Sequence, residues 1–196
     1  MLLSLTESKA ALRKQLSEKR KNLTEKEKAA FSERLCASIC SLDAFKEAAA
    51  VLSFWPLPNE TDVRAVNERT LAEGKRLLLP RCIKGSREMN FYEVRSFDDL
   101  EKGCFSIFEP KEGCPLFVPS ENIRTVCIVP GMAYDKHGFR IGYGGGFYDT
   151  YLSKYKPFTV GAVYHPFLLE ALPYGEFDIA VNTVVTDKEV IAISSV

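Results

Sequence analysis

The first forty residues of the chain have apolar positions at helical spacing. Three leucines lie on one side of a predicted helix over residues 4–20: Leu5, Leu12 and Leu16. A second helix is predicted to begin after Thr24, because Thr24 and Glu27 form a capping-box pattern. The pattern therefore predicts a pair of helices at the N-terminus.

Beyond residue 47 the apolar positions form short continuous runs that end at proline, glycine or polar residues. Such runs are typical of strands buried on both faces of a sheet. Two helical patterns separate them, one over residues 62–73 and one beginning near Phe147, and residues 96–122 are rich in loop-forming residues. The predicted strands are residues 48–55, 75–81, 89–94, 123–130, 158–165 and 177–186.

The alternation of apolar strands with helices predicts the fold class. We expect an α/β three-layer sandwich with a mainly parallel sheet flanked by helices, Rossmann-like, in a single domain over residues 1–196. In such sheets ligands bind beyond the carboxyl ends of the strands. The segments after residues 55, 81 and 130 are therefore the predicted location of a site.

Charge and composition exclude some classes of function. The chain has 26 basic and 26 acidic residues and a net charge of zero, which argues against binding to nucleic acid or to an anionic membrane. No signal peptide or membrane span is predicted, so we expect a cytoplasmic protein. The six cysteines lack the spacing of a zinc site, and we interpret them as free thiols.

Residues 140–149 have the sequence RIGYGGGFYD, with four glycines: Gly142, Gly144, Gly145 and Gly146. Glycines let the main chain approach a ligand closely, and a helix beginning at Phe147 would point free N–H groups toward the loop. With Arg140, whose side chain we expect on the surface, this pattern predicts a phosphate cradle. The spacing matches neither a Walker A loop nor a Rossmann fingerprint directly after a strand. The alternative is a tight structural turn.

Three further charged side chains fit a phosphate site. Asp149 follows the loop and could hold a Mg²⁺ ion bridging phosphate oxygens, or else cap or ion-pair within the first helical turn. Lys9 and Arg13 are four residues apart and share a helix face, from which they could close over a nucleotide phosphate. The alternative is a solvated charged face, which we expect of the other basic residues of that helix: Lys14, Lys19, Arg20 and Lys21.

Aromatic and acidic residues follow the first predicted strand. Phe54 and Trp55 could hold a flat heteroaromatic substrate, with Glu60 accepting hydrogen bonds from ring N–H groups. Several other side chains could add to the walls of this pocket: Met89, Phe91, Phe105, Phe147 and Tyr148. Each of these residues is equally explicable as part of the core.

The segment VPGMAYDKHGFRIGYGGGFYDTYL resembles the signature of the 5-formyltetrahydrofolate cyclo-ligase family. The resemblance extends along nearly the whole chain. It includes Lys9 with Arg13, the acid Glu60, and three short segments at residues 79–81, 89–91 and 177–178. Two departures concern the loop, which has Tyr143 and Gly145 where some members carry basic residues, and Phe147 in place of a tyrosine. Phosphate neutralisation would then depend more on Lys9, Arg13 and Arg140.

The resemblance implies an enzyme that closes the ring of 5-formyltetrahydrofolate to 5,10-methenyltetrahydrofolate, with ATP as co-substrate and Mg²⁺. In the family's proposed mechanism the formyl oxygen attacks the γ-phosphate, giving an iminium phosphate that the substrate's own N10 displaces. We expect folate and ATP as the partners of the chain, no nucleic acid, no membrane, and a monomer or weak homo-oligomer.

The resemblance also implies roles for individual residues. The implied ATP-binding residues are Lys9, Arg13, Arg140, Ile141, Gly142, Tyr143, Gly144, Gly145, Gly146, Phe147 and Tyr148, of which Lys9, Arg13 and Arg140 are the catalytic candidates. The implied magnesium ligands are Asp149 and Asp178. The candidate folate-binding residues are Phe54, Trp55, Glu60, Met89 and Phe105, together with the loop residues Tyr143, Gly144, Gly145, Gly146 and Phe147.

Two other classes of function compete with this interpretation. A sugar-phosphate isomerase or CoA transferase has a similar architecture, but it needs a general base or a glutamate nucleophile, and Glu60 is the only obvious candidate. A non-catalytic folate- or nucleotide-binding protein is the other class. Magnesium-dependent nucleotide binding would argue against a sugar-phosphate site.

Overall fold

The structure is a computed structural model that describes residues 4–103 and 107–194. Its helices are α1 (Leu5–Lys21), α2 (Glu25–Ser41), α3 (Asp43–Lys46), α4 (Arg64–Ala72) and α5 (Phe147–Lys154). Its strands are β1 (Ala50–Leu52), β2 (Arg76–Cys82), β3 (Met89–Val94), β4 (Leu100–Lys102), β5 (Phe108–Pro110), β6 (Thr125–Pro130), β7 (Ala133–Asp135), β8 (Arg140–Ile141), β9 (Phe158–Ala162), β10 (Leu168–Leu169), β11 (Thr183–Val185) and β12 (Val190–Ala192). Within the described ranges, no helix is both long and apolar enough to cross a bilayer.

A seven-stranded sheet in the order β12-β11-β9-β6-β1-β2-β3 forms the centre of the described protein. The five inner strands run parallel, and the edge strands β3 and β12 pair antiparallel with their neighbours. In β1, Val51 lies between Leu77 and Val126 and is fully buried. Burial of such strands on both faces explains their continuous apolar sequence. The predicted three-layer α/β class is confirmed.

The N-terminal pair of helices is also confirmed. Ser4 and Thr24 are the N-caps of α1 and α2, and each forms a capping box, with Glu7 and Glu27 respectively. The apolar face of α2 is buried in the main core and packs near α4 and β11. Both helices therefore begin at a side chain that satisfies otherwise free N–H groups.

Several strands of the sheet differ from the prediction. Of residues 48–55 only Ala50–Leu52 form β1, and of residues 158–165 only Phe158–Ala162 form β9. The last predicted strand is shorter, because β11 begins at Thr183 and Asn182 instead uses its side chain: its Oδ1 accepts hydrogen bonds from the N–H and Oγ1 of Thr159, both at 2.8 Å. The antiparallel strand β12 was not predicted. These last two differences arise from polar or short segments, whose pairing depends on distant neighbours rather than on local pattern.

A second small sheet, β10-β7-β8, precedes the glycine loop. Its β7–β8 hairpin turns at Gly138, which has a φ of +86°, and Asp135 Oδ1 accepts hydrogen bonds at 2.9 Å from the N–H groups of His137 and Phe139. This hairpin occupies the stretch AYDKHGFR and determines where β8 delivers the chain into the loop.

Candidate active site

The glycine loop runs from Gly142 to Gly146, between β8 and α5. Gly144 and Gly146 have φ values of +99° and +70°, which disfavour any other residue. Gly145 meets a different constraint, since a Cβ atom there would lie 2.7 Å from the ring of Phe147. Gly146 is the N-cap of α5 and provides no side-chain cap, so the first-turn N–H groups of the helix remain available to an anion.

Helix α1 lies against this loop and contributes two cations. The Arg13 Nε donates to the carbonyl oxygen of Gly142 at 2.8 Å. The Lys9 Nζ donates to Asp178 Oδ2 at 2.5 Å, and its side chain is only 14% exposed. Lys9 and Arg13 therefore do not form a solvated face. They bring α1, the loop and the segment around Asp178 together.

The side chain of Arg140 is buried, so the expectation of an exposed side chain was wrong. Its Nη2 donates to Asp149 Oδ1 at 2.7 Å, and its Nη1 donates to the carbonyl oxygen of Ile179 at 2.9 Å. The physical reason is its position at the start of β8, from which its side chain reaches Asp149 in α5 and the main chain at Ile179. A buried guanidinium requires such partners to offset its desolvation.

Both candidate metal ligands lie next to Ile179: Asp178 precedes it in the chain, and Asp149 is hydrogen-bonded to its N–H group. Asp149 Oδ1 accepts from the N–H of Ile179 at 3.1 Å in addition to Arg140, and Asp178 Oδ2 accepts from the N–H of Gly175 at 2.6 Å in addition to Lys9. The ion pair predicted as the alternative for Asp149 is therefore present. Among the described residues, no group of three or more His, Cys, Asp and Glu side chains is placed to hold a metal.

These carboxylates nevertheless fit Mg²⁺ bound together with a nucleotide. Magnesium in phosphate-transfer sites is commonly held by one or two carboxylates, with phosphate oxygens and water completing the coordination. Asp149 and Asp178 supply that number of carboxylates, and both bond to residues of the 175–179 segment.

A cavity of about 620 Å³ lies beside α2 at the carboxyl end of β1. Trp55 and Glu60 line it, and the Trp55 ring packs edge-on against Phe97 and Phe108, with centroid distances of 5.1 and 6.0 Å. Three acids also line the cavity: Glu25, Glu60 and Asp62. An aromatic wall with an acid beside it is the kind of site that holds a flat heteroaromatic ring.

The side chain of Glu60 is fixed by the loop between β1 and α4. Its Oε2 accepts a hydrogen bond from the N–H of Leu57 at 2.8 Å. Burial raises the pKa of Glu60 above the ordinary value of a glutamate, and the Leu57 N–H, the charge of Arg20 and the Tyr143 hydroxyl oppose this shift. Burial and the neighbouring Glu60 raise the pKa of Tyr143 in turn. Tyr143 of the glycine loop thus interacts with Glu60 of the cavity.

The structure places the other predicted folate-binding residues elsewhere. The side chain of Phe54 is 4% exposed and belongs to the main core, and Met89 lines a separate cavity of about 230 Å³ between β3 and α5. Phe105 lies outside the described residues. Trp55, Glu60 and Tyr143 are the residues of this prediction that the structure brings together.

The remaining loop residues are largely internal. Ile141 is buried, while Phe147 and Tyr148 are partly buried against the main core. The Tyr148 hydroxyl is buried and has no hydrogen-bond partner among the described residues. These side chains pack against the core beneath the glycine loop and present no exposed polar group to a ligand.

Sequence reasoning missed Arg20, which was expected in a solvated face but is 2% exposed. It donates to three main-chain carbonyl oxygens: Asn59 at 2.8 Å, Gly131 at 2.9 Å and Met132 at 3.0 Å. Burial lowers its pKa. Its position four residues after Leu16, on the apolar face of α1, was the available signal.

Comparison with known proteins gives matches along most of the chain. The sequence profile of the 5-formyltetrahydrofolate cyclo-ligase family matches residues 5–187. The 5-formyltetrahydrofolate cyclo-ligase of Escherichia coli is 29% identical over 179 residues, covering 89% of this chain and 98% of that protein. The probable 5-formyltetrahydrofolate cyclo-ligase of Schizosaccharomyces pombe is 30% identical over 128 residues, covering 64% of this chain and 62% of that protein.

A solved structure adds a match in three dimensions. The 5,10-methenyltetrahydrofolate synthetase of Aquifex aeolicus is 36% identical, with a TM-score of 0.83, covering 96% of this chain and 94% of that one. Because the family profile matches from the first residue of α1 to just beyond β11, this chain belongs to the 5-formyltetrahydrofolate cyclo-ligase family.

Proposed function

We propose that the glycine loop with the cations of α1 binds the phosphates of ATP and that the Trp55–Glu60 cavity receives the folate. As a member of its family, the chain is an enzyme that converts 5-formyltetrahydrofolate to 5,10-methenyltetrahydrofolate with ATP. The observation that carries the site assignment is the position of the glycine loop, which Arg13 contacts at the Gly142 carbonyl oxygen and whose Tyr143 interacts with Glu60. Lys9, on the same face of α1, pairs with Asp178.

Both nucleophiles of the reaction come from the substrate. The formyl oxygen on N5 attacks the γ-phosphorus and ADP leaves; N10 then attacks the formyl carbon, phosphate departs and the N10 proton is lost. The protein therefore needs to position the reactants and neutralise charge. A cradle of N–H groups, two arginines and a lysine suits those tasks, and no Ser-His or Cys-His pair is required.

The cations are held in place by partners that a phosphate can replace or share. Lys9 and Arg13 bond to Asp178 and to the Gly142 carbonyl oxygen, and both groups lie at the partly buried surface of the site. A phosphate oxygen is a stronger acceptor than a carbonyl oxygen. We therefore assign Lys9 and Arg13 to direct phosphate contact, and we assign Arg140 to holding Asp149 beside the cradle.

Asp149 and Asp178 are the residues that would hold Mg²⁺. A magnesium ion there would neutralise the charge on the phosphate oxygens. The role of the chain is to orient the two carboxylates through Arg140, Lys9 and the N–H groups of Gly175 and Ile179.

Glu60 orients the other substrate. Its carboxylate is fixed by Leu57 and can accept hydrogen bonds from the N–H groups of the pterin ring, while Trp55 supplies an aromatic wall. Tyr143, between the cavity and the cradle, would lie where the formyl group meets the γ-phosphate.

We also propose a single domain that works in the cytoplasm as a monomer or weak homo-oligomer. Cys36 and Cys127 are free thiols, and burial raises the pKa of each to about 12, which keeps them protonated and unreactive. Free buried thiols suit a reducing compartment.

Near-ultraviolet absorbance tests the function directly. The methenyl product carries a conjugated amidine bridge and absorbs where the substrate does not, so the band should grow only when 5-formyltetrahydrofolate, ATP and Mg²⁺ are all present. Omission of Mg²⁺ and of ATP are the controls. A flat trace from folded protein with all three components would reject the proposed reaction.

A further inference from the structure

The guanidinium of Arg20 joins two loops that come from different strands. Its Nη1 donates to the carbonyl oxygen of Asn59, in the loop after β1, and its Nη2 donates to those of Gly131 and Met132, directly after β6. The Nε donates to Met132 as well, at 3.2 Å. The side chain stacks over the ring of Phe167 at 4.6 Å. A planar fork with five N–H donors can serve several carbonyl oxygens at once, which a lysine cannot.

Each of these loops leads to one half of the site. Asn59 immediately precedes Glu60 in the loop whose geometry Leu57 fixes. Met132 donates its N–H to the carbonyl oxygen of Ile141 at 2.7 Å, on the strand that enters the glycine loop. Arg20 therefore bonds to the residue that precedes Glu60. It also bonds to Met132, which is itself hydrogen-bonded to Ile141 at the start of the glycine loop.

The charge of Arg20 also acts on the cavity. The ionisable groups that interact with its guanidinium are Glu60, Tyr143 and Tyr164, and those that interact with Glu60 are Arg20, Tyr143 and Tyr148. Burial raises the pKa of Glu60, and the positive charge of Arg20 opposes that shift. Loss of the charge would raise this pKa further, so that the carboxylate would take up its proton at a higher pH.

We propose that Arg20 is a positioning residue for the folate site: it fixes the Glu60 loop against the base of the glycine loop and supplies the buried positive charge that faces the carboxylate. This inference rests on the proposed binding of folate at Glu60. It assigns Arg20 no contact with either substrate. Its effect reaches the pterin ring through the position and the ionisation of Glu60.

Two substitutions separate geometry from charge. Arg20→Lys keeps the charge and loses the fork, and we expect about tenfold weaker binding of 5-formyltetrahydrofolate with a pH profile close to that of the parent. Arg20→Met loses both, and we expect weaker binding still, with the decline of affinity at low pH displaced to higher pH. Binding of ATP with Mg²⁺ should change less than threefold in both variants.

The matched control is Lys19→Met, on the next residue of α1. Lys19 donates to the carbonyl oxygen of Pro166 and lies over the same Phe167 ring, but its described contacts include neither loop. Titration calorimetry across a series of pH values gives both dissociation constants, and thermal unfolding reports whether each variant is folded. We expect parental folate affinity and pH profile in Lys19→Met.

The outcomes distinguish this inference from the proposed function. Glu60→Gln with parental folate affinity would reject the folate assignment itself. A weakened Glu60→Gln beside folded Arg20 variants of parental affinity would reject the role of Arg20 alone. Equal loss of folate and ATP binding without a displaced pH profile would reduce Arg20 to a structural residue. Should Arg20→Met not fold, the folate affinity of Arg20→Lys decides.

Discussion

The proposed site has a phosphate half, formed by Lys9, Arg13, Arg140 and the glycine loop, and a folate half around Trp55 and Glu60. The two halves hold their charged groups in opposite ways. In the phosphate half, each candidate cation already has an acceptor: Lys9 has Asp178, Arg13 has the Gly142 carbonyl oxygen, and Arg140 has Asp149. In the folate half, Glu60 takes its hydrogen bond from the main chain, and Arg20 acts on it at a distance while bonding to carbonyl oxygens.

This difference indicates two modes of binding. In the phosphate half an incoming anion must share or replace acceptors, so binding is coupled to local rearrangement and should depend on ionic strength. In the folate half the carboxylate is oriented before the ligand arrives, which reduces the entropy cost of binding. The predictions below test this contrast.

The largest effect is expected at Arg140. Arg140→Ala removes a buried cation and leaves the Asp149 carboxylate and the Ile179 carbonyl oxygen without their donor, so the free energy of unfolding should fall by about 3 kcal/mol, together with loss of turnover. Urea denaturation and the methenyl absorbance measure the two effects.

Arg124→Ala is the matched control for Arg140. Arg124 pairs with Glu47 on the surface and is 75% exposed, so the loss should be below about 1 kcal/mol. If Arg140→Ala were as stable as Arg124→Ala, the Arg140 guanidinium would not stabilise the fold as a buried ion-pair partner of Asp149. The distinction between Arg140 and the two cations Lys9 and Arg13 would then be rejected.

The next effect concerns the cations of α1. Arg13→Met should raise the KM for ATP about tenfold to a hundredfold and leave folate affinity near that of the parent, because a charged hydrogen bond to phosphate is lost only in the phosphate half. Steady-state kinetics with each substrate varied in turn measures the split. Lys14→Met, on the exposed neighbouring position, should behave like the parent. Equal changes in the KM values for ATP and for folate would contradict the assignment of Arg13 to the phosphate half alone.

Glu60→Gln should weaken folate binding about tenfold, with little change for ATP. The sign of the pH effect follows from the raised pKa of Glu60: the carboxylate is lost as pH falls through a value above the ordinary glutamate range, and parental folate affinity should fall with it. The glutamine variant should lack this decline. Calorimetry across pH measures both effects.

Glu25→Gln controls for the loss of an acid at the same cavity. Glu25 lies at the rim, 90% exposed, and pairs with Lys28. Its substitution should leave folate affinity unchanged. An equal loss in the two variants would point to a general effect of negative charge and against a specific acceptor.

Tyr143→Phe should give the smallest effect. The hydroxyl interacts with Glu60 and helps to lower the pKa of that carboxyl. Its loss should change folate affinity by about threefold or less and move the low-pH decline slightly upward. Turnover at neutral pH should persist, and a complete loss of turnover would show that the hydroxyl acts in the reaction itself.

Sequence patterns predicted the parts of this molecule that depend on local physics. The buried strands were visible because parallel strands carry apolar residues on both faces, and the start of α2 was visible because its capping box lies within four residues. The glycine loop was recognisable for the same reason, since positive φ and close packing have a strong local signature in Gly144, Gly145 and Gly146.

Features that depend on distant partners were not predictable. The burial of Arg140 depends on Ile179, 39 residues away, and that of Arg20 depends on carbonyl oxygens 39 to 112 residues away. Whether Phe54 faces the core or the cavity depends on the direction in which the chain leaves β1. A charged residue on an apolar helix face was the one overlooked signal.

Helix α1 carries the contacts to both loops of the proposed site. Arg13 contacts the glycine loop and Arg20 contacts the loop that contains Glu60, and their separation of seven residue steps corresponds to about 10 Å along the helix. A single residue inserted between them would rotate Arg20 by about 100° away from both loops. In the proposed binding mode, the number of residues between Arg13 and Arg20 thus sets the distance between the ATP phosphates and the folate cavity.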